Sequence, residues 1–250
     1  MARISSKGKC LLCNGTFAKA GMSRHLDACL KRRAAAQPPP EKPTYTKARY
    51  FHLLVDGRWQ PAYWLHLDVR ASVKLGDLDR FLRHIWLECC GHLSAFRIGE
   101  TSYSVSPMRD LDEKGVSVAL GKVLRPKMEF TYEYDFGTTT ELRLKVISER
   151  DGELRENAVE LLARNDPPDI PCGQCGKPAT QICSSCSWNQ EGWLCSECAQ
   201  VHPCGEDMLL PVVNSPRTGQ CAYTGPADAS SGEHEDDWFD DDTGDEKEGS

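Results

Sequence analysis

Cysteine and histidine carry most of the chemistry available to this sequence of 250 residues, which holds 13 cysteines. Near its start, Cys10 and Cys13 enclose two residues, and His25 and Cys29 follow four apart. A turn can aim both sulfurs of a C-x-x-C pair at one point, and a helix puts residues four apart on one face. Near the other end stand Cys172, Cys175, Cys183, Cys186, Cys195, Cys198, His202 and Cys204. Eight ligands fill two tetrahedral sites, so the spacing predicts three structural zinc ions in all. Protein side chains take every position of each site, leaving none open for hydrolysis. C-x-x-C pairs also serve redox chemistry and iron–sulfur clusters. Three consecutive pairs with a histidine fit zinc better. His202 and Cys204 stand close together, so Cys221 is an alternative last ligand.

Residues 8–33 resemble the ββα zinc fingers in a CCHC form. Phe17 and Met22 lie between the ligand pairs, where a miniature core needs apolar side chains. Eleven residues separate Cys13 from His25, a slight departure from that family. The C-terminal spacing resembles the cross-braced fingers of the MYND and B-box type. That resemblance implies that Cys172, Cys175, Cys195 and Cys198 share one ion, and that Cys183, Cys186, His202 and Cys204 share the other. It also implies a protein partner, since such fingers recruit proteins.

Charge divides the chain. Residues 1–50 carry 11 basic and 2 acidic side chains, whereas 226–250 carry 11 acidic and 1 basic. Lys19, Arg24, Lys31, Arg32 and Arg33 surround the expected finger helix and suit phosphate contacts with DNA or RNA. A lone finger specifies few base pairs, and a protein-facing surface is equally compatible with those charges. The acidic tail reads as disordered. It can solubilise the chain or compete with an anion for the basic head. Within it, Trp238 and Phe239 read either as partner anchors or as chance. An odd cysteine number and C-x-x-C pairing point to a reducing, cytoplasmic setting. No secretory leader or membrane-spanning run is expected.

The elements that must position these ligands follow from periodicity. The expected units are a finger at 1–33, a Pro-rich linker at 34–48, a folded domain at 49–165, a double zinc module at 170–224 and a tail at 225–250. In the middle domain RYFHLLV opens a strand. Tyr63, Leu65, Leu67 and Val69 then alternate with Trp64, His66, Asp68 and Arg70, which is strand periodicity. LGDLDRFLRHIWLECC puts Leu75, Leu78, Phe81, Leu82, Ile85 and Cys89 on one helix face and Asp79, Arg80 and Arg83 on the other. LSAFRI, MEFTYEY and TELRLKVI read as strands, with a tight turn at DFG-T. LRENAVELLAR, at 154–164, fits either a helix or a strand. The fold class is α+β: a mixed domain flanked by a ββα-type finger and a two-zinc module. PVVNSPRTG reads as a recognition loop using Asn214 and Arg217, or as a loop packed on the C-terminal finger.

The middle domain resembles the plasmid pRiA4b ORF-3-like family over residues 49–150. The shared elements fall on Tyr50, Leu75, Leu78, His92, Leu93, Phe96, Tyr132, Tyr134, Asp135, Phe136 and Gly137. Relatives carry an acidic residue and a tryptophan after that glycine; this chain has Thr138, Thr139 and Thr140. The resemblance implies an α+β fold and no particular activity. His92 and Asp135 fall on its marked positions and are the best candidate for an acid–base pair. Their other reading is a structural hydrogen bond between loops. The chain lacks G-x-S-x-G and a P-loop, and its DFG stands without other kinase signatures. Three functions follow. The first is a zinc-binding adaptor that touches nucleic acid through its head and protein through its C-terminal module. The second is a purely protein-binding scaffold. The third is an enzyme using His92 and Asp135.

Overall fold

The computed structural model describes residues 6–36, 47–187 and 191–226. In chain order, β1 (Lys7–Cys10) and β2 (Thr16–Ala18) form a hairpin followed by α1 (Lys19–Ala36). The central elements are β3 (Lys47–Gly57), β4 (Trp64–Arg70), α2 (Leu75–Leu82), β5 (Ser94–Ile98), β6 (Thr101–Ser104), β7 (Lys114–Gly115), α3 (Leu120–Val123), β8 (Glu129–Tyr134), β9 (Thr140–Glu153) and β10 (Val159–Asn165). The C-terminal part holds β11 (Gln181–Cys183), β12 (Trp193–Leu194), α4 (Ser196–Gln200) and β13 (Leu209–Pro211).

Ten strands make one sheet in the order β2-β1-β10-β4-β3-β9-β8-β5-β6-β7. A mixed α/β core flanked by metal-binding clusters is therefore the architecture. Pairing is antiparallel except between β6 and β7. The finger hairpin is the end of this sheet, because β1 pairs with β10 from Gly8↔Asn165 to Cys10↔Ala163. That close approach requires glycine. A Cβ on Gly8 would overlap the Arg164 carbonyl oxygen and lie 2.7 Å from Trp64 Cη2.

Strand alternation gives the sheet two occupied faces. Phe51, Leu53, Val55, Leu65, Leu67 and Val69 bury one face against Leu75, Leu78 and Leu82 of α2. Trp64, Leu162 and Ala163 bury the opposite face under Met22 and Leu26 of α1. Two histidines share that second face: His52 and His66 form a buried pair, Nε2 to Nδ1, 2.8 Å apart. Burial lowers the pKa of His52 to about 4 and of His66 to about 3, so both rings are neutral.

One open reading is settled and three expectations change. Of the two readings of residues 154–164 the strand is found: from Val159 they enter β10, between β1 and β4. The linker does not begin at residue 34, because α1 continues to Ala36; residues 37–46 lie outside the described set. The α2 helix ends at Leu82 and passes into a π-helical turn at Arg83–Leu87. Asp79, assigned to the polar face, is buried. It accepts hydrogen bonds from Arg83 Nε (2.9 Å), Ser94 Oγ (2.5 Å) and Tyr132 Oη (2.7 Å), which replace its water. The tail beyond residue 226, with Trp238 and Phe239, lies outside the described residues. Among the described residues, no helix is long and apolar enough to cross a membrane.

Candidate metal centres

In the N-terminal finger, Cys10 closes β1 and Cys13 follows in a turn. Cys10 N–H donates to Gly15 O at 2.9 Å, and Asn14 N–H donates to Cys10 O at 2.8 Å. Asn14 takes the left-handed backbone this knuckle needs, with φ 58°. His25 and Cys29 lie one turn apart on α1, and the four ligand atoms gather within 4.8 Å of one another. Cys13 Sγ stands 3.3 Å from His25 Nε2. Phe17 stacks on His25 with ring centroids 3.8 Å apart and fixes the imidazole. Burial first, then the charge of Arg32, lowers the His25 pKa and favours the neutral ring that ligation requires.

The C-terminal ligands divide into two interleaved groups: Cys172, Cys175, Cys195 and Cys198, then Cys183, Cys186, His202 and Cys204. Cys175 and Cys195 sulfurs are 3.6 Å apart, and Cys186 Sγ stands 3.5 Å from His202 Nε2 and 3.7 Å from Cys204 Sγ. A tetrahedral zinc with ordinary bond lengths spaces two sulfurs by about 3.8 Å and a sulfur from a nitrogen by about 3.6 Å. These residues fit zinc. Backbone donors prepare Cys172 in particular. The N–H of Cys195 first, then those of Gln174 and Cys175, bring the Cys172 thiol down to about 6, toward the thiolate a metal binds. Cys195 caps α4 and Cys198 lies one turn later, which aims both sulfurs inward. Cys204, not Cys221, completes the second group.

Cys221 belongs elsewhere. After β13 the chain does not pack only on the zinc module; it runs as a strap across the central domain. Ser215 Oγ donates to Trp86 O at 2.6 Å, and Asn214 exchanges hydrogen bonds with Asn165 at 2.7 and 2.9 Å. Arg217 is not an exposed contact residue: it is fully buried. It donates to Asp135 Oδ2 at 2.7 Å, Thr140 Oγ1 at 3.1 Å, Thr138 O at 3.2 Å and Cys89 Sγ at 3.4 Å.

This placement removes the geometry expected of a His92–Asp135 acid–base pair. His92 Nε2 lies 3.6 Å from Asp135 Oδ2, beyond hydrogen-bond reach. The carboxylate is occupied by Arg217 and by the turn, where Gly137 and Thr138 N–H groups donate to Oδ1 at 3.0 and 3.2 Å. Burial alone would raise the Asp135 pKa; Arg217 and those two backbone donors outweigh it and hold the carboxyl below its ordinary value. What surrounds His92 instead is sulfur: Cys89, Cys90 and Cys221 gather with it within 4.8 Å. Spacing did not reveal this group, because two of its cysteines are adjacent and the third is remote. A signal existed, however. The three expected sites use ten of the thirteen cysteines and leave Cys89, Cys90 and Cys221 over.

The basic candidates separate as well. Lys19 turns inward: its Nζ pairs with the buried Asp56, which Arg143 also clamps at 2.9 Å, and it donates to Pro61 O at 3.1 Å. Arg24, Lys31 and Arg32 are exposed on α1, and Lys31 pairs with Asp27 at 2.9 Å. The side chain of Arg33 is outside the described set.

Comparison with known proteins gives one family. The family model described as "Plasmid pRiA4b ORF-3-like protein" matches residues 51–177, just over half of the chain. No curated protein matches. Among solved structures, the protein of unknown function MM3350 from Methanosarcina mazei Go1 is similar at 15% identity, covering 53% of this chain and 76% of that one, with a TM-score of 0.40. At that score the likeness carries no argument about this chain.

Proposed function

The chain belongs to the plasmid pRiA4b ORF-3-like protein family, and from that premise we propose that it is a zinc-binding adaptor working beside nucleic acid in a reducing, cytoplasmic setting. Three structural zincs hold its ends: one in the finger and two in the C-terminal module. The exposed side of α1 contacts DNA or RNA phosphates, and the C-terminal module contacts a protein. The observation that carries the reading is the basic row Arg24, Lys31 and Arg32, exposed on a helix whose other face is fixed to the sheet by Met22 and Leu26. A fixed helix backbone spares the cost of ordering the segment on binding, and only the side-chain rotamers remain to be ordered. On the protein-facing side, Val201 presents an apolar side chain 78% exposed, beside the metal ligand His202.

The test is fluorescence anisotropy of the zinc-loaded full chain with duplex DNA and single-stranded RNA across a salt series. Replacing Arg24, Lys31 and Arg32 together with alanine weakens binding. It also flattens the salt slope by about 0.9 for each duplex phosphate that is no longer neutralised. Removal of residues 226–250 strengthens binding by freeing the basic head. Absence of binding by the parent chain at moderate salt, or an unchanged slope in the triple variant, contradicts the reading.

A further inference from the structure

Cys89, Cys90 and His92 sit on a short, pinned segment between the π-helical turn and β5. Arg83 holds it from one side, donating to Glu88 Oε2 at 2.8 Å and to His92 O at 2.5 Å. Glu88 Oε1 accepts the Gly91 N–H at 2.6 Å and the Tyr134 hydroxyl at 3.0 Å. Gly91, at φ 69°, reverses the chain so that His92 returns toward the two cysteines before it. Cys221 arrives from the strap, also in the left-handed region at φ 49°. A non-glycine residue held there is strained, and strain of this kind persists where surrounding contacts fix it.

We propose that Cys89, Cys90, His92 and Cys221 form a fourth zinc site, of Cys3His type, that fastens the C-terminal strap to the central sheet. Cys90 and Cys221 sulfurs are 3.8 Å apart, and Cys221 Sγ is 3.6 Å from His92 Nε2. Those are the sulfur–sulfur and sulfur–nitrogen edges of a zinc tetrahedron, about 3.8 and about 3.6 Å. The same sulfur separation is far beyond the ~2.05 Å of a disulfide bond. Three thiol protons leave to solvent as the ion enters, so the zinc with its three thiolates carries one net negative charge. The fully buried Arg217, donating to Cys89 Sγ at 3.4 Å, places a positive charge against it. Four protein ligands close the site, so it binds no catalytic water. Its work is mechanical: it joins residues 131 positions apart, between Cys90 and Cys221, at the end of the strap.

The experiment is metal counting and thiol labelling on the full chain, purified under reducing conditions and loaded with zinc. The parent chain holds four zincs by elemental analysis and Cys221→Ser holds three. In the loaded parent, Cys90 and Cys221 react slowly with iodoacetamide although both are exposed, and chelation releases them together with Cys89. This labelling needs no variant, so it decides the matter even if Cys221→Ser fails to fold. Three zincs in parent and variant alike, with Cys90 and Cys221 labelling at free-thiol rates in the loaded parent, overturn the proposal. A Cys90–Cys221 disulfide in the zinc-loaded chain overturns it too.

Discussion

Under the N-terminal finger the buried side chains are Met22, Leu26, Trp64, Leu162 and Ala163, together with Cys10 and Cys29; over residues 172–204 of the C-terminal module the buried cysteines and apolar side chains are Cys172, Ile182, Cys183, Leu194, Cys195 and Ala199. The first set is a hydrophobic core shared with the ten-stranded sheet. Half of the second is the candidate metal ligands themselves, around a three-stranded sheet of β12, β11 and β13. Two ends with similar ligand chemistry therefore depend on metal to different degrees. Apolar burial adds to whatever zinc contributes at the finger, whereas a module that buries only Ile182, Leu194 and Ala199 beside its ligands has less apolar surface to offset chain entropy and leans more on its ions.

The largest effect that sharpens this contrast is Cys183→Ser. It removes a fully buried ligand of the second C-terminal group. We expect residues 172–211 to become cleavable by protease while the central sheet stays resistant, read by mass spectrometry of the fragments. Trp64→Ala comes next. Trp64 is completely buried beneath α1 and its Nε1–H donates to Ser6 Oγ at 2.8 Å. Its removal destabilises the chain by about 3–5 kcal/mol in denaturant unfolding and loosens the finger without releasing the C-terminal zincs. An unchanged midpoint would mean that metal alone holds the finger.

Smaller effects follow from the polar groups between finger and sheet. Lys19→Met leaves Asp56 with Arg143 alone and costs about 1 kcal/mol, measured in the same way; no change would remove Lys19 as a brace. His66→Gln acts through pH. The folded values of about 4 for His52 and about 3 for His66 lie below the ~6.5 of a free imidazole, so unfolding takes up protons as pH falls from about 6.5 toward 4. Stability is then present at neutral pH and declines through that window. The variant has one such group fewer, so its melting temperature falls less than the parent's between pH 7 and pH 5. Comparing the two chains cancels the acid sensitivity of the zinc sites.

The sequence made some of this legible and hid the rest for identifiable reasons. Ligand groups built from local C-x-x-C pairs could be read, since a turn or a helix converts their spacing into geometry. So could β4, whose alternation is strong, the strand candidates that became β3, β5, β8 and β9, and the turn at Asp135, where the side chain bonds its own backbone two and three residues on. The finger's attachment could not be read. KGKC is short and polar as a strand, and its partner β10 was itself ambiguous. Asp79 and Arg217 are misplaced by local sequence pattern because, apart from Arg83 four residues after Asp79, the partners that satisfy them in the interior, Ser94, Tyr132, Asp135 and Thr140, are distant in sequence. The cluster at His92 fails the spacing rule for the same reason: the sheet and the strap bring its cysteines together.

The most direct test of the contrast between the two ends is hydrogen exchange by segment on the zinc-loaded full chain, before and after chelation. We predict that residues 172–204 become unprotected on chelation, while β1 and β10 keep most of their protection because Trp64, Met22 and Leu26 still pack. Deprotection of β1 and β10 to the same extent as 172–204, or retention of protection at both ends, would contradict the contrast.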